Sequence, residues 1–194
     1  TTFELLAQGV QEVITDRDYE MQDVLDDFLD YCHNDRLIVI PDAWKKMRMQ
    51  LAGTTFDFNL SENVYYDNID RGFSSHDYLS LYKQKSIRAV GKITAIITAV
   101  LKDGELIYNV ERGELTEERR EKIDKAIEDG KKYEYVLDST RYFFVDKFYE
   151  TDFPKITPRA PMESRMFDLT EVLQIDKLPK TEEIAGLLKQ KSWN

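Results

Sequence analysis

Aromatic and cationic side chains occur together at two places in the sequence, and nucleotide binding requires this combination. Tyr78 and Tyr82 lie on one predicted strand, and Arg88 and Lys92 lie on the next. Residues at even spacing on a strand share a face, so Arg88 and Lys92 are expected to project together. An aromatic ring contributes about 1 to 3 kcal/mol per stacked base, while guanidinium and ammonium groups bind phosphate. The second cluster comprises Tyr65, Tyr66, Arg71 and Phe73.

These clusters predict a set of ligand-binding residues. The alternative for the cationic side chains is a solvated sheet edge, where charge prevents one sheet from pairing with another. The predicted principal contacts are Tyr78, Tyr82 and Arg88, with Tyr66, Arg71 and Lys92 in supporting positions.

Catalytic and metal-binding patterns are weaker. The densest group of metal-ligand types is Asp67, Asp70, His76 and Asp77, which a loop could bring around one ion. Aspartates in turns more commonly bond to nearby backbone amides. The sequence contains neither a nucleophile elbow nor a glycine-rich phosphate loop. It therefore predicts a binding protein with no catalytic residue, metal or cofactor, and a divalent-metal nuclease using Asp67 or Asp70 is a third hypothesis.

A long alternating segment must position the first cluster. Residues 86–101 alternate with a period of two for sixteen residues, which predicts a strand. Because this exceeds the usual strand length, we expect one strongly bent strand or two strands broken at Gly91, where a missing side chain permits bending or close approach. One face mixes branched aliphatic residues with alanine and glycine, as the interior of a small closed barrel requires.

The other elements follow from capping residues, turn residues and periodicity. We expect a strand or two with irregular connections over 54–73 and, because of three prolines, a long loop or an extended edge over 151–167. An Asp-Gly hairpin is expected at 102–105. Helices are predicted over 3–14, 19–33, 43–52 after Asp42, 115–129 after Thr116, 169–174 and 182–189, and strands over 78–83, 106–110, 133–137 and 141–149.

This order of elements predicts an α+β fold. The favoured arrangement is a small bent β-barrel with N-terminal helices, an inserted helix at 115–129 and a short helical C-terminal tail. The predicted division is an acidic helical N-terminal segment, 1–53, packed on a barrel domain, 54–194.

Negative charge is concentrated near the N-terminus. Residues 1–35 carry ten acidic side chains against one basic residue, Arg17, in a chain of net charge −10. Helical spacing places Met21, Val24, Leu25, Phe28 and Cys32 on one face of the predicted helix 19–33. The opposite face is either solvated or docks a basic protein, so an interaction or adaptor subunit is the alternative function. That acidic face comprises Asp23, Asp26, Asp27 and Asp30.

Composition indicates the cellular setting. The sequence is 42% hydrophobic and contains one cysteine, Cys32, so it forms no internal disulfide. Its apolar runs are much shorter than the roughly 20 residues of a membrane-spanning helix. We therefore expect a cytoplasmic protein that does not bind a membrane.

The segment from Asp77 to Ile97, D-Y-L-S-L-Y-K-Q-K-S-I-R-A-V-G-K-I-T-A-I-I, resembles the core of PUA-like barrels such as the EVE and ASCH domains. In those domains, a tyrosine-bearing strand leads through a turn into a strand with a similar Gly-Lys pattern. Residues 141–148 and the Pro-rich, Arg-bearing segment 158–173 are similar to the way such domains close. The resemblance, which covers about half of the chain, implies recognition of a nucleotide or of a modified base in nucleic acid, within a defence, restriction or RNA-modification system. It does not imply catalysis.

Overall fold

The computed structural model describes residues 42–71, 74–158, 161 and 164–194, together with eight residues nearer the N-terminus. The eight are all helical, in agreement with the predicted helices 3–14 and 19–33. Leu25 is buried, but Met21 and Val24 are exposed, so the predicted apolar face of the second helix is only partly covered. The acidic face of that helix lies outside the described residues. The eight residues are Leu6, Gly9, Val10, Val13, Met21, Val24, Leu25 and Phe28.

Eight strands and four helices make up the remaining described chain, after a short 3-10 turn at Ala43–Lys45. The strands are β1 (Lys46–Leu51), β2 (Val64–Asn68), β3 (Tyr78–Lys83), β4 (Ser86–Lys102), β5 (Glu105–Arg112), β6 (Ser139–Val145), β7 (Tyr149–Pro154) and β8 (Arg165–Asp168). The helices are α1 (Phe56–Glu62), α2 (Glu117–Lys131), α3 (Leu169–Leu173) and α4 (Thr181–Leu188). None of these described helices has the length and apolar character needed to cross a membrane.

β4 organises the sheet because it pairs with four other strands. Its first half pairs with β3 and β7, and its second half pairs with β5 and β6. The path through the sheet runs β2, β6, β4, β3, β1, β8, and β1 is parallel to β3. No pairing among the described residues joins β2 to β8, so the sheet is not closed. The mixed helix and strand class is confirmed, whereas the predicted barrel closure is not.

The long strand predicted from the alternating segment is confirmed. β4 continues through Gly91 without a break and shifts register against its partners near residues 87–89, 93–95 and 96–97. Such bulges bend a strand. Gly91 is a point of close approach, because a Cβ atom there would lie 2.8 Å from Val145 and 2.9 Å from the main-chain oxygen of Lys147. The glycine therefore lets the end of β6 cross β4 at short distance.

Several local predictions are also confirmed. Asp103 and Gly104 both have positive φ, 53° and 85°, as the predicted two-residue hairpin requires. Thr116 caps α2 by accepting a hydrogen bond from the Arg119 amide. Strand β3 and helices α3 and α4 lie where the periodicity predicts them. These elements have their signals within a few neighbouring residues.

The predicted helix over 43–52 is wrong. Asp42 makes no side-chain cap, and the segment becomes β1 after the short 3-10 turn. Met47 and Met49 are fully buried and pair with β3 on one side and β8 on the other. Pairing on both sides outweighs the helical propensity of this sequence. The predicted domain boundary at residue 53 lies just after β1. The predicted N-terminal segment therefore includes an interior strand of the sheet.

Three other segments differ from prediction. Residues 54–73 contain α1 before β2, and residues 165–168 form β8 within the expected loop, while β7 is the extended edge allowed there. Residues 133–137 are not a strand. The amides of Tyr133 and Tyr135 both donate to the Gly130 carbonyl, and Glu134 has a φ of 59°, so these residues terminate α2.

The core has layers on both faces of the sheet. Helices α3 and α4 and Trp193 cover the face that carries Met47, and α2 covers a second cluster containing Ile97. A third cluster includes residues of β2, β3, β4 and β6, with α1 packed against it. β4 contributes to all three clusters, which explains its length.

Asp168 ties the start of β1 to the start of α3. Its carboxylate accepts hydrogen bonds from the Thr170 and Glu171 amides and lies 3.0 Å from the Lys45 ammonium and 3.3 Å from that of Lys46. Burial alone would raise the pKa of this carboxyl, but hydrogen bonds from Thr170, Lys45 and Glu171 hold the pKa of Asp168 well below its ordinary value.

The Asp168→Asn variant is expected to lower the free energy of unfolding at pH 7 by about 1 to 2 kcal/mol, because a charge-assisted network is lost. Because its pKa is lower in the folded state, the ionised Asp168 stabilises the fold at pH values above its unfolded pKa of about 3.9. This contribution decreases as the pH falls below that value. In urea unfolding from pH 7 to pH 2, the difference between the two proteins should begin to narrow below about pH 4 and continue to narrow as the pH falls toward the depressed pKa of Asp168. Asp176→Asn, at an exposed position, is the control; a constant difference across this range would contradict the prediction.

Candidate functional site

β3 carries the two tyrosines that were predicted as principal contacts. Tyr78 and Tyr82 are only 4% and 6% exposed and pack in the cluster that contains Trp193. Leu79 and Leu81 are fully buried in the cluster on the other face. A principal contact needs an open ring, but both rings are buried, because β3 is an interior strand covered on both faces.

Arg88 and Lys92 extend from the first half of β4. The Arg88 guanidinium donates to the Asp152 carboxylate at 3.0 Å and to the Lys83 and Gln84 carbonyls. The Lys92 ammonium lies 5.8 Å from the centre of the Tyr78 ring. Arg88 is therefore engaged by protein atoms, and none of these four residues lines the cleft that contains the remaining predicted pair.

Tyr66 and Arg71, the other two predicted residues, line the same cleft of about 490 Å³. Three segments form it: the end of β1 with the turn before α1, β2 with the turn after it, and the segment that follows α2. The lining residues are Leu51, Gly53, Thr54, Thr55, Tyr65, Tyr66, Asp67, Asn68, Arg71, Glu134, Tyr135, Val136 and Leu137.

The cleft follows one edge of β2. Among the described residues, β2 pairs with β6 only, so its other edge is unpaired. Successive side chains on a strand point to opposite faces, and a cleft that contacts the four consecutive residues 65–68 must run along the edge. An unpaired edge presents main-chain donors and acceptors. A ligand in this cleft therefore meets backbone groups as well as side chains.

Tyr135 supplies an accessible aromatic surface to the cleft. Its side chain is 44% exposed, and its ring centre lies 5.8 Å from that of Tyr133. Tyr65 and Tyr66 are almost completely buried, and burial raises the pKa of both hydroxyls, so they remain neutral. The hydroxyl of Tyr66 is buried with no hydrogen-bond partner among the described residues. Stacking is therefore available at Tyr135 and not at the two buried rings.

Positive charge is concentrated at the other end of the cleft. The Arg71 guanidinium lies 3.2 Å from the Asp67 carboxylate, and the Arg71 side chain is 73% exposed. Arg48 and Arg141 line a small adjoining pocket together with Arg71 and Asp67, and Arg141 pairs with Glu111 at 3.0 Å. Among the described residues, three guanidinium groups thus lie close to the Asp67 and Glu111 carboxylates, and a guanidinium can donate to an anion from the N–H groups that its partners leave open.

The four residues considered as metal ligands are not brought together. Asp67 pairs with Arg71, and Asp77 accepts a hydrogen bond from Arg112 at 2.8 Å. His76 donates from Nδ1 to the Ser74 carbonyl, and burial lowers the pKa of its imidazole to about 3. Within the described part of the chain, no three histidine, cysteine or acidic side chains are grouped to hold an ion. The metal-nuclease hypothesis gains no support from these residues.

The contribution of the segment after α2 was not predicted. Residues 133–137 were interpreted as a strand, which would have placed Tyr135 within the sheet. A pair of tyrosines directly after the C-terminus of a thinly amphipathic helix is the signal that would have identified an accessible aromatic surface. Phe73, from the second sequence cluster, lies outside the described residues.

Together, these observations define a mixed helix and strand domain whose eight-stranded sheet has an open cleft beside β2. No protein-family model matches the sequence, and no curated protein matches it. The chain is similar to the crystal structure of a ZmASCH mutant protein from Zymomonas mobilis, with 14% sequence identity and a TM-score of 0.37. The match covers 66% of this chain and 91% of that chain. That protein is named as an ASCH protein, and ASCH domains are among the domains that residues 77–97 resemble.

Proposed function

We propose that this chain binds a nucleotide, or a modified base within nucleic acid, in the cleft along β2. The observation that carries the proposal is a single open cleft that joins an accessible tyrosine ring to a cationic end. A base binds by stacking on an aromatic ring, and a phosphate binds by pairing with a cationic group. The two ends of this cleft offer these two interactions separately. Tyr135 suits the base, and Arg71 suits the phosphate.

The aromatic end suits any planar base. A base stacked on an accessible tyrosine gains about 1 to 3 kcal/mol. Val136 and Leu51 are exposed apolar neighbours in the same lining, so they extend the surface that a base can cover. Stacking is tolerant of base identity, which leaves selectivity to polar groups in the cleft.

The cationic end suits one phosphate. A guanidinium carries five N–H donors, so Arg71 retains donors beyond those that bond to Asp67. Arg48 and Arg141 line the small adjoining pocket with Arg71, so cationic groups are grouped here although the whole chain has a net charge of −10. Because few cationic groups take part, we expect binding to weaken only moderately with added salt.

The direct test is fluorescence polarisation with labelled single-stranded RNA and DNA oligonucleotides, unmodified, methylated or hydroxymethylated. The Arg71→Ala variant is expected to weaken binding about tenfold, because a hydrogen bond to a charged group is lost. Arg88→Ala is the matched control, since Arg88 bonds to Asp152 and does not line the cleft.

Two results would contradict the proposal. If no oligonucleotide binds at millimolar concentration, nucleotide recognition is wrong. If Arg88→Ala weakens binding while Arg71→Ala does not, the ligand contacts β4 and the assignment to the β2 cleft is wrong.

A further inference from the structure

The hydrogen bonding of β2 determines which of its main-chain groups face the cleft. The Ile69 amide donates to the Ser139 carbonyl, and the Val145 amide donates to the Asn63 carbonyl. In an antiparallel pair, main-chain groups alternate between facing the partner strand and facing away from it. With the register of β2 on β6, residues 65 and 67 therefore bond to β6, and residues 64, 66 and 68 direct their amides and carbonyls toward the unpaired edge.

Protein groups already occupy most of these outward positions. The Val64 carbonyl accepts a hydrogen bond from the Asn59 side-chain amide at 2.9 Å. The Asn68 amide donates to the Asp67 carboxylate, and the Asn68 carbonyl accepts from the Arg71 amide. In the described structure, the Tyr66 amide and carbonyl have no such partner. Tyr66 also lines the cleft and is almost completely buried, so this donor and acceptor lie side by side at its inner surface.

Among the described residues of β2, Tyr66 alone has both its amide and its carbonyl open, and this number distinguishes a peptide ligand from a base. An added peptide strand gains its affinity from a series of main-chain hydrogen bonds. Here it would form only the two hydrogen bonds to the amide and carbonyl of Tyr66. A base needs only one donor and one acceptor side by side, because the Watson–Crick edge of every base carries a donor beside an acceptor. The neighbouring Tyr135 ring offers the stacking surface that a base also requires. The geometry therefore favours a base over a peptide.

We infer that the main-chain amide and carbonyl of Tyr66 recognise the Watson–Crick edge of a base bound in the cleft. This inference rests on the proposed function and narrows it. The bound base is unpaired, since a duplex uses this edge for its own pairing, so single-stranded nucleic acid or a free nucleotide is the ligand. If the base is modified, the modification lies away from this edge.

Isothermal titration calorimetry with matched 5′-monophosphates tests the inference. The pairs are uridine with 3-methyluridine, guanosine with 1-methylguanosine, adenosine with N6,N6-dimethyladenosine, and cytidine with N4,N4-dimethylcytidine. Each methylation removes the donor that lies directly beside the acceptor of the edge without changing the charge of the base. In 1-methylguanosine the 2-amino group remains, but it is no longer part of an adjacent donor and acceptor pair. For every parent nucleotide that binds, we expect the methylated partner to bind at least about tenfold more weakly, because the Tyr66 carbonyl loses its donor.

Side-chain variants separate the main chain from its neighbours. Tyr135→Ala and Arg71→Ala are expected to weaken both members of a pair by the same factor, so the ratio between parent and methylated nucleotide stays constant. A ratio that falls to one in Arg71→Ala would assign recognition of the edge to the guanidinium and would overturn the inference.

The remaining outcomes are also decisive. Equal binding of parent and methylated nucleotides overturns recognition by Tyr66 and leaves nucleotide binding intact. Binding by none of the four parents overturns the inference, and the oligonucleotide measurement then decides the proposed function separately. Binding of extended peptides, in the absence of nucleotide binding, would assign the edge to strand addition and overturn the inference.

Discussion

Gly91→Ala is expected to lower the free energy of unfolding by about 1 to 3 kcal/mol, which is the usual cost of overpacking a core. The added Cβ would lie 2.8 Å from two carbon atoms of Val145 and 2.9 Å from the Lys147 oxygen. The oxygen belongs to the main chain just after β6, so relief requires this segment to move away from β4. Equilibrium unfolding in urea measures the loss directly.

Gly186→Ala is the matched control for this prediction. It introduces the same methyl group, but no atom beyond its chain neighbours and the adjacent backbone of its own helix lies within 4 Å of the new Cβ, and Gly186 lies inside α4. Alanine in a helix is more favourable than glycine by about 0.5 to 1 kcal/mol, so this variant should be more stable. Equal stability of Gly91→Ala and the unsubstituted chain would show that the two strands do not approach as closely as the structure indicates.

Tyr135→Ala is expected to weaken nucleotide binding by about tenfold or more, because the accessible stacking surface of the cleft is lost. Its effect on stability should be small, since the ring is largely outside the core. Trp44→Ala is the control for loss of an exposed ring: Trp44 is 43% exposed and does not line the cleft. Polarisation with a labelled single-stranded oligonucleotide gives the dissociation constants.

An unchanged dissociation constant for Tyr135→Ala would contradict the role of the aromatic end. A loss of binding accompanied by a lower unfolding midpoint would instead indicate that the ring supports the fold. The comparison therefore requires both measurements on each variant.

Patterns contained in neighbouring residues were predicted correctly. β4 has an alternation too long to be anything other than a strand, the Asp-Gly turn needs residues that adopt positive φ, and Thr116 precedes an amphipathic helix. Each of these signals depends on local backbone preference, which the sequence carries directly.

The errors arose where a distant partner decides the outcome. The segment 46–51 has the composition of a helix, yet it pairs between β3 and β8, which come from residues 78–83 and 165–168. The same pairing makes β3 an interior strand and buries Tyr78 and Tyr82. No residue close to Tyr78 and Tyr82 in the sequence indicates that both faces of β3 are covered.

In the candidate site, too, some residues could be predicted from local sequence and others depend on distant contacts. Its sequence signal contained Tyr66 and Arg71, which lie close together in the chain and in the structure. Tyr135 joins them only because α2 ends beside β2, and the main-chain groups of Tyr66 face the cleft only because β6 pairs with the opposite edge.

The sequence by itself therefore determined the strand-rich class, the long strand through Gly91, the hairpin and the inserted helix, because these depend on short-range preferences. Tertiary structure decided which tyrosines are buried, which strand edge is open and where the cleft lies. Those features depend on strand pairings between residues many positions apart, whose energies come from burial and hydrogen bonding in the assembled sheet.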